Sequence, residues 1–157
     1  MAITLLNGGG SVHDPAVVNM RASGTIHPNG VVDLLHTAGQ GVSVSSGAST
    51  STMVFGVALD YAQGASDVEV RVIPFNKQQL WAADCYNTAL TSHIGLRHEL
   101  RTTGTDARAR FVENTASDVQ QENGGVFLAL GVDLTKGSGK LIGRFIQTDD
   151  TDLLSGL

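Results

Sequence analysis

Apolar and polar residues alternate most clearly between residues 67 and 73. Three valines lie on one side of this stretch and three charged residues lie on the other, in the order Asp67–Val68–Glu69–Val70–Arg71–Val72. A period of two with β-branched residues on one face predicts a half-buried β-strand. The apolar run from 52 to 59 is uninterrupted, and this predicts a strand that is buried on both faces.

Turn-forming sequences separate the candidate strands. The Asn-Gly pair in His27–Gly30 favours positive φ and predicts a tight turn. The Gly-rich stretch Lys136–Lys140 lies between apolar runs at 125–132 and 141–146, which we expect to pair as a hairpin. About nine candidate strands follow one another at spacings of about 8–12 residues, the pattern of a sandwich or barrel. Only two stretches have a pattern that permits short helices, residues 77–92 and 115–122.

The predicted fold class is therefore all-β. We expect a single-domain antiparallel β-sandwich or β-barrel, jelly-roll-like in its arrangement, formed by residues 16–148. An extended N-terminal arm, residues 1–15, precedes this body, and an acidic C-terminal tail, residues 149–157, follows it.

The arm begins with apolar residues that have no obvious partner within the chain. These are Ile3, Leu5 and Leu6, and three consecutive glycines, residues 8–10, follow them closely. We predict that they bind a partner, either by adding a strand to its sheet or by filling a groove on a neighbouring subunit. The alternative is a disordered chain terminus without a binding role.

Arg108 and Arg110 are the second predicted partner-binding feature. They lie two residues apart in the candidate strand 107–112 and therefore share one face of it. Such a pair could bind an acidic surface of a partner, or it could keep an exposed edge strand soluble.

The composition fits a β-rich globular domain and argues against several classes of function. The 157 residues suffice for one domain with its own core. Since 19 of them are Gly and only 16% are charged, neither a disordered chain nor a long-helix protein is expected. The formal net charge of −5 argues against binding nucleic acid or an anionic membrane. Without a signal-like or membrane-spanning apolar run, we expect a soluble protein made in a cytoplasm.

No catalytic, cofactor-binding or metal-binding site is predicted. Gly137–Lys140 resembles part of a phosphate-binding loop, but that motif requires Gly where Leu134 stands and Ser or Thr where Leu141 stands. The single Cys85 excludes an internal disulfide, and its apolar neighbours indicate a small buried side chain. We therefore predict that the chain is not an enzyme and needs no cofactor.

The histidines are too scattered in the sequence to predict a metal site. His93 and His98 are five residues apart, so on one strand they would point to opposite faces. His98–Glu99 begins like the zinc-protease motif, but the second histidine of that motif is missing. The others are His13, His27 and His36.

Four stretches carry a resemblance to a known family: Val57–Ala65, Asp67–Phe75, Leu80–Cys85 and Lys140–Phe145. Together they resemble the small capsid decoration, or cement, proteins of tailed bacteriophages. The resemblance implies a structural virion protein on the capsid surface, assembled in the cytoplasm of the host bacterium. It also implies a homotrimer that binds the major capsid protein and cements neighbouring subunits, without direct contact with nucleic acid or membrane.

A second hypothesis comes from a different class of protein. The β body could be a non-catalytic ligand- or carbohydrate-binding module. Sites of that kind usually expose aromatic rings, yet aromatic residues make up only 5% of the chain. We expect Trp81 to be buried, so glycan binding that depends on Trp81 or Tyr86 would favour this hypothesis over capsid decoration.

Overall fold

A computed structural model describes residues 3–7, 16–35, 41–44, 54–63, 68–76, 78–103, 106–112 and 125–146. These residues form twelve β-strands and one short 3-10 turn, Thr91–His93, and they contain no α-helix. The strands are β1 Ile3–Asn7, β2 Val18–Arg21, β3 Val31–Leu34, β4 Val42–Val44, β5 Val54–Ala58, β6 Glu69–Pro74, β7 Leu80–Asp84, β8 Arg97–His98, β9 Leu100–Thr103, β10 Asp106–Val112, β11 Phe127–Asp133 and β12 Lys140–Phe145.

One sheet has five strands in the order β1-β7-β12-β11-β8, and all its neighbouring pairs are antiparallel. The hairpin predicted for the apolar runs on either side of the Gly-rich stretch is confirmed as β11 and β12. Its turn is closed by the N–H of Gly139, which donates to the carbonyl of Lys136 at 3.0 Å. Gly137 and Gly139 have φ of 52° and 77°, a backbone conformation that side chains with a Cβ disfavour.

The second sheet follows the order β2-β6-β5-β3-β10-β9, and β4 also pairs with β3. This sheet curls toward closure, because the chain that leaves β2 meets β4. Ala22 forms a parallel bridge with Val42, and the N–H of Ser23 donates to the carbonyl of Val42 at 2.8 Å. The chains approach so closely here that a side chain at Gly41 would collide with the backbone of Arg21.

Two hydrophobic cores stabilise this arrangement. The larger core lies between the sheets, and its centre is a set of aromatic rings in which Phe75 stacks on Phe145 at 3.8 Å, with Trp81 edge-on to both. The smaller core lies inside the curled sheet. Strand β3 serves both, since Val31 packs in the first core and Val32 in the second. The antiparallel all-β prediction is therefore confirmed.

Strand β6 confirms the predicted alternation over residues 69–72, whereas Val68, just before the strand, is 36% exposed. Val70 and Val72 are buried in the smaller core, whereas Glu69 and Arg71 are exposed. The tight turn predicted around the Asn-Gly pair is present, with a positive φ of 64° at Asn29. Of the two stretches that permit short helices, residues 77–92 contain β7 and the start of the 3-10 turn, and residues 115–122 lie outside the described part.

Candidate partner-binding surface

The start of the predicted arm has a partner within the chain. Strand β1 pairs with β7, so that Ile3 lies opposite Ala83 and Leu5 opposite Trp81. Ile3 is 2% exposed in the larger core, and Leu5 packs against that core. The expectation that Ile3 and Leu5 have no partner within the chain is therefore wrong. Both pack against the larger core from the edge strand β1, with Ile3 buried and Leu5 partly buried.

Leu6 differs from the other two residues. It is 52% exposed and lies at the end of an edge strand. Among the described residues, β1 pairs with β7 on one side and with no strand on the other. An edge strand offers unpaired backbone groups to another chain. The β1 edge is thus free over Ile3–Leu5, whereas the register shifts between Leu5 and Asn7 and makes Leu6 a bulged residue. Strand addition stays a prediction, and residues 8–15 of the arm lie outside the described part.

Arg108 and Arg110 lie in β10. Within the part of the chain that the structure describes, this strand is internal to its sheet, between β3 and β9. It is not an edge strand there, so the explanation that the arginines keep an edge soluble does not apply. Their side chains lie outside the described part, and their binding role stays a prediction.

Four exposed apolar side chains come to neighbouring positions beside the other edge of the five-stranded sheet. We call Leu90, Ile94, Leu130 and Leu134 the apolar surface; each is between 41% and 57% exposed. The segment around the 3-10 turn runs along β11, since the N–H of Gly95 donates to the carbonyl of Ala129 at 2.8 Å. At its other end, Ala89 and Leu134 both lie against the position of Gly139.

Leu130 is exposed because it lies on the outer face of β11. Phe127 and Ala129 are buried, and the alternation of a strand places the intervening and following side chains on the opposite face. A β-bulge coincides with this position, since Ala129 pairs with Gly143 and Gly131 pairs with Ile142, which leaves Leu130 as the extra residue on β11.

Two buried histidines, His93 and His98, pack beneath the surface of the segment around the 3-10 turn. The N–H of Leu90 donates to Nδ1 of His93 at 3.0 Å, and a ring nitrogen of His98 lies 3.2 Å from the carbonyl oxygen of His93. The rings are 5.8 Å apart. Burial, together with the neighbouring His98, lowers the pKa of His93. The prediction that the two rings point to opposite faces is wrong, because His93 lies in a 3-10 turn and not in a strand.

The described residues give no sign of a metal or nucleophile site here. They contain no cluster of three or more His, Cys, Asp or Glu that could hold a metal ion. Cys85 is buried, as predicted, and burial raises the pKa of its thiol to about 11. A thiol that stays protonated at neutral pH is a poor nucleophile.

The curled sheet carries a different exposed group at the turn after β5. The carboxylate of Asp60 accepts hydrogen bonds from Nη2 and Nε of Arg71, at 2.7 and 2.9 Å, and from its backbone N–H at 3.0 Å. These hydrogen bonds lower the pKa of Asp60 to about 2. Beside them, Tyr61 is 52% exposed and meets the ring of His27 edge-on at 5.1 Å.

Comparison with profiles of known protein families, with curated proteins and with solved structures gave no match to this chain. None of the helical structure in the described ranges is long and apolar enough to span a bilayer.

Sequence reasoning did not find the apolar surface. The apolar run 125–132 is uninterrupted, so its pattern does not show which of its residues are exposed. A weak signal exists at Leu90 and Leu134, since both stand beside polar turn residues where an apolar side chain has few neighbours to pack on.

Proposed function

We propose that this chain is a structural virion protein that binds the outer surface of a phage capsid and cements neighbouring major capsid subunits. The observation that carries the proposal is the apolar surface of Leu90, Ile94, Leu130 and Leu134, which lies on and beside β11. Clustered exposed apolar side chains are typical of protein-binding sites. The all-β fold agrees with the family that the sequence resembles.

The arrangement of the five-stranded sheet suits a cementing role. The apolar surface lies beside β8 and β11, whereas Leu6 lies on β1 at the opposite edge. Five strands at about 4.8 Å spacing separate the two edges by about 19 Å. A single subunit therefore has two distinct attachment sites and can contact two neighbouring capsid subunits at once.

The apolar surface is also held rigidly. Backbone hydrogen bonds fix the segment to β11 at Ala129, and His93 fixes the N–H of Leu90. A preorganised surface loses little conformational entropy on binding. Weak contacts of this kind, repeated over many identical capsid positions, give strong attachment of the whole assembly.

The test is co-sedimentation of the purified protein with capsids that lack it. We expect Leu90→Gln combined with Leu134→Gln to abolish binding, because both side chains are half exposed and their loss removes apolar contact area without opening the core. Val17→Asn is the matched control, since Val17 is 47% exposed next to the curled sheet. Equal binding by the double variant and the wild type would contradict the proposal.

The group around Tyr61 favours a second candidate, a non-catalytic carbohydrate-binding module. An exposed tyrosine ring can stack on a sugar, and the adjacent Asp60–Arg71 pair offers fixed hydrogen-bonding groups. Trp81 is 1% exposed and cannot form such a platform, while Tyr86 is exposed. Saturable binding on a glycan array that is lost in Tyr61→Ala and retained in Tyr86→Ala would favour this candidate over capsid binding.

A further inference from the structure

A cavity of about 340 Å³ opens between the end of β7 and the turn of the β11–β12 hairpin. Asp84 and Cys85 form one wall, and the turn residues Lys136–Lys140 form the other. This volume is near the lower limit of small-molecule sites. None of the functions discussed above uses it.

The hairpin turn is held in place on two sides. The N–H of Ala89 donates to the carbonyl of Ser138 at 2.8 Å, and the N–H of Gly139 donates to the carbonyl of Lys136 at 3.0 Å. The backbone N–H groups of Gly137 and Ser138, by contrast, donate to no acceptor among the residues that the structure describes. Consecutive free N–H groups in a glycine turn are a known arrangement for binding anions.

The lysines of the turn add positive charge at the same place. Nζ of Lys140 lies 3.1 Å from a carboxylate oxygen of Asp84, so that pair is neutral overall. Lys136 has no carboxylate within 4 Å in the described part of the chain. Its ammonium group is therefore the cation at this cavity that remains available to a ligand.

Of the two acidic residues around the hairpin turn, only Asp84 lines the cavity. Asp133 lies outside the lining; two hydrogen bonds from Thr135 and the charges of both lysines lower its pKa and keep it ionised. The Cys85 thiol is neutral at physiological pH because burial raises its pKa to about 11. The wall formed by β7 thus carries a single negative charge, and Lys140 compensates it.

We propose that this cavity binds an oxyanion, a carboxylate or phosphate group, through the ammonium of Lys136 and the N–H groups of Gly137 and Ser138. The absence of a complete phosphate-loop motif argues only against a nucleotide-binding site, in which a helix N-terminus follows the glycines. A turn that leads into a strand can still bind a single small anion. The site does not depend on the proposed capsid function.

The test is NMR titration of the intact chain with sodium phosphate and, separately, with sodium acetate, at fixed pH and with ionic strength held constant by sodium chloride. We expect saturable shifts at the amides of Gly137, Ser138 and Gly139. Lys136→Gln should weaken the apparent Kd about tenfold, the effect of losing one charge-assisted hydrogen bond. Arg144→Gln is the control, because it removes the same charge from an exposed position on β12, about 13 Å along the strand from Lys140.

The two titrations identify the ligand chemistry. Saturation by phosphate alone assigns a phosphate site, saturation by acetate alone assigns a carboxylate site, and either result supports the proposal. Shifts that do not saturate with either anion would overturn it. Equal weakening in Lys136→Gln and Arg144→Gln would also overturn it, because that result indicates general charge attraction and not a defined site.

Discussion

Val70 tests whether the curled sheet encloses a core of its own. Its side chain is 1% exposed and packs with Val72, Val32 and Ile26 inside that sheet. Val70→Ala removes two methyl groups, which costs about 1.6 kcal/mol in transfer free energy and about 2 kcal/mol with the cavity included. Val70→Asp would in addition bury a carboxylate without a cationic partner, at a cost of several kcal/mol. Against a total stability of about 5–15 kcal/mol, that variant should lose a large fraction of its stability.

Thermal unfolding followed by circular dichroism measures these effects. For a chain of this size we expect Val70→Ala to lower Tm by about 4–8 °C. Glu69→Gln changes the neighbouring exposed residue and should alter the free energy of unfolding by less than about 0.5 kcal/mol. If both substitutions shift Tm equally, the assignment of the two faces of β6 is refuted, and with it the second core.

Four further substitutions test three separate features. Gly143→Ala would push a methyl group into the backbone of Leu128 and should lower the free energy of unfolding by at least about 2 kcal/mol. Gly131→Ala, in the same hairpin, places its methyl group at an ordinary contact distance and should leave stability nearly unchanged. Urea unfolding of the two variants measures this difference. The lowered pKa of His93 means that the unfolded chain binds protons below about pH 6.5 that the folded chain does not, so stability falls there as pH decreases. His93→Asn should reduce this slope between about pH 7 and about pH 5, and an unchanged slope would exclude His93 as its source. Asp60→Asn should lower the free energy of unfolding by no more than about 1 kcal/mol at neutral pH, because the pair with Arg71 is solvent-exposed. This loss should shrink as pH falls from 3.8 through about 2, since Asp60 of the wild type is then protonated. A loss of stability that persists at low pH would contradict the ion pair as its cause.

The elements that sequence analysis predicted correctly are those whose signals are local. The alternation in β6 depends on side chains two residues apart, and the hairpin of β11 and β12 depends on a turn that directly joins its strands. In both, the residues that determine the structure are neighbours in the chain. Their periodicity therefore predicts the buried face without knowledge of the rest of the fold.

The features that sequence analysis missed depend on contacts between distant segments. Ile3 is buried because β1 pairs with β7, and no pattern within the first fifteen residues indicates that partner. The contact between His93 and His98 requires a 3-10 turn, whereas a strand would have separated their rings. Leu130 is exposed on the outer face of β11, and the uninterrupted apolar run at 125–132 does not show which face of the strand is buried.

The same limits apply to the candidate site. Leu6 is the one residue of the predicted apolar triplet that the structure leaves exposed. The apolar surface was not predicted, because its residues come from a turn and a bulge that only the folded chain brings together. The four residues of the apolar surface are as hydrophobic as core residues and differ from them only in solvent exposure.

The protein composition of purified virus particles decides whether this chain belongs to a capsid. Particles from the organism that carries the gene are banded on a density gradient, washed in high salt and analysed by quantitative mass spectrometry. Capsid decoration requires peptides of this chain in a fixed ratio to the major capsid protein in every particle fraction. Peptides found only in the soluble fraction, with none in the washed particles, would contradict capsid binding.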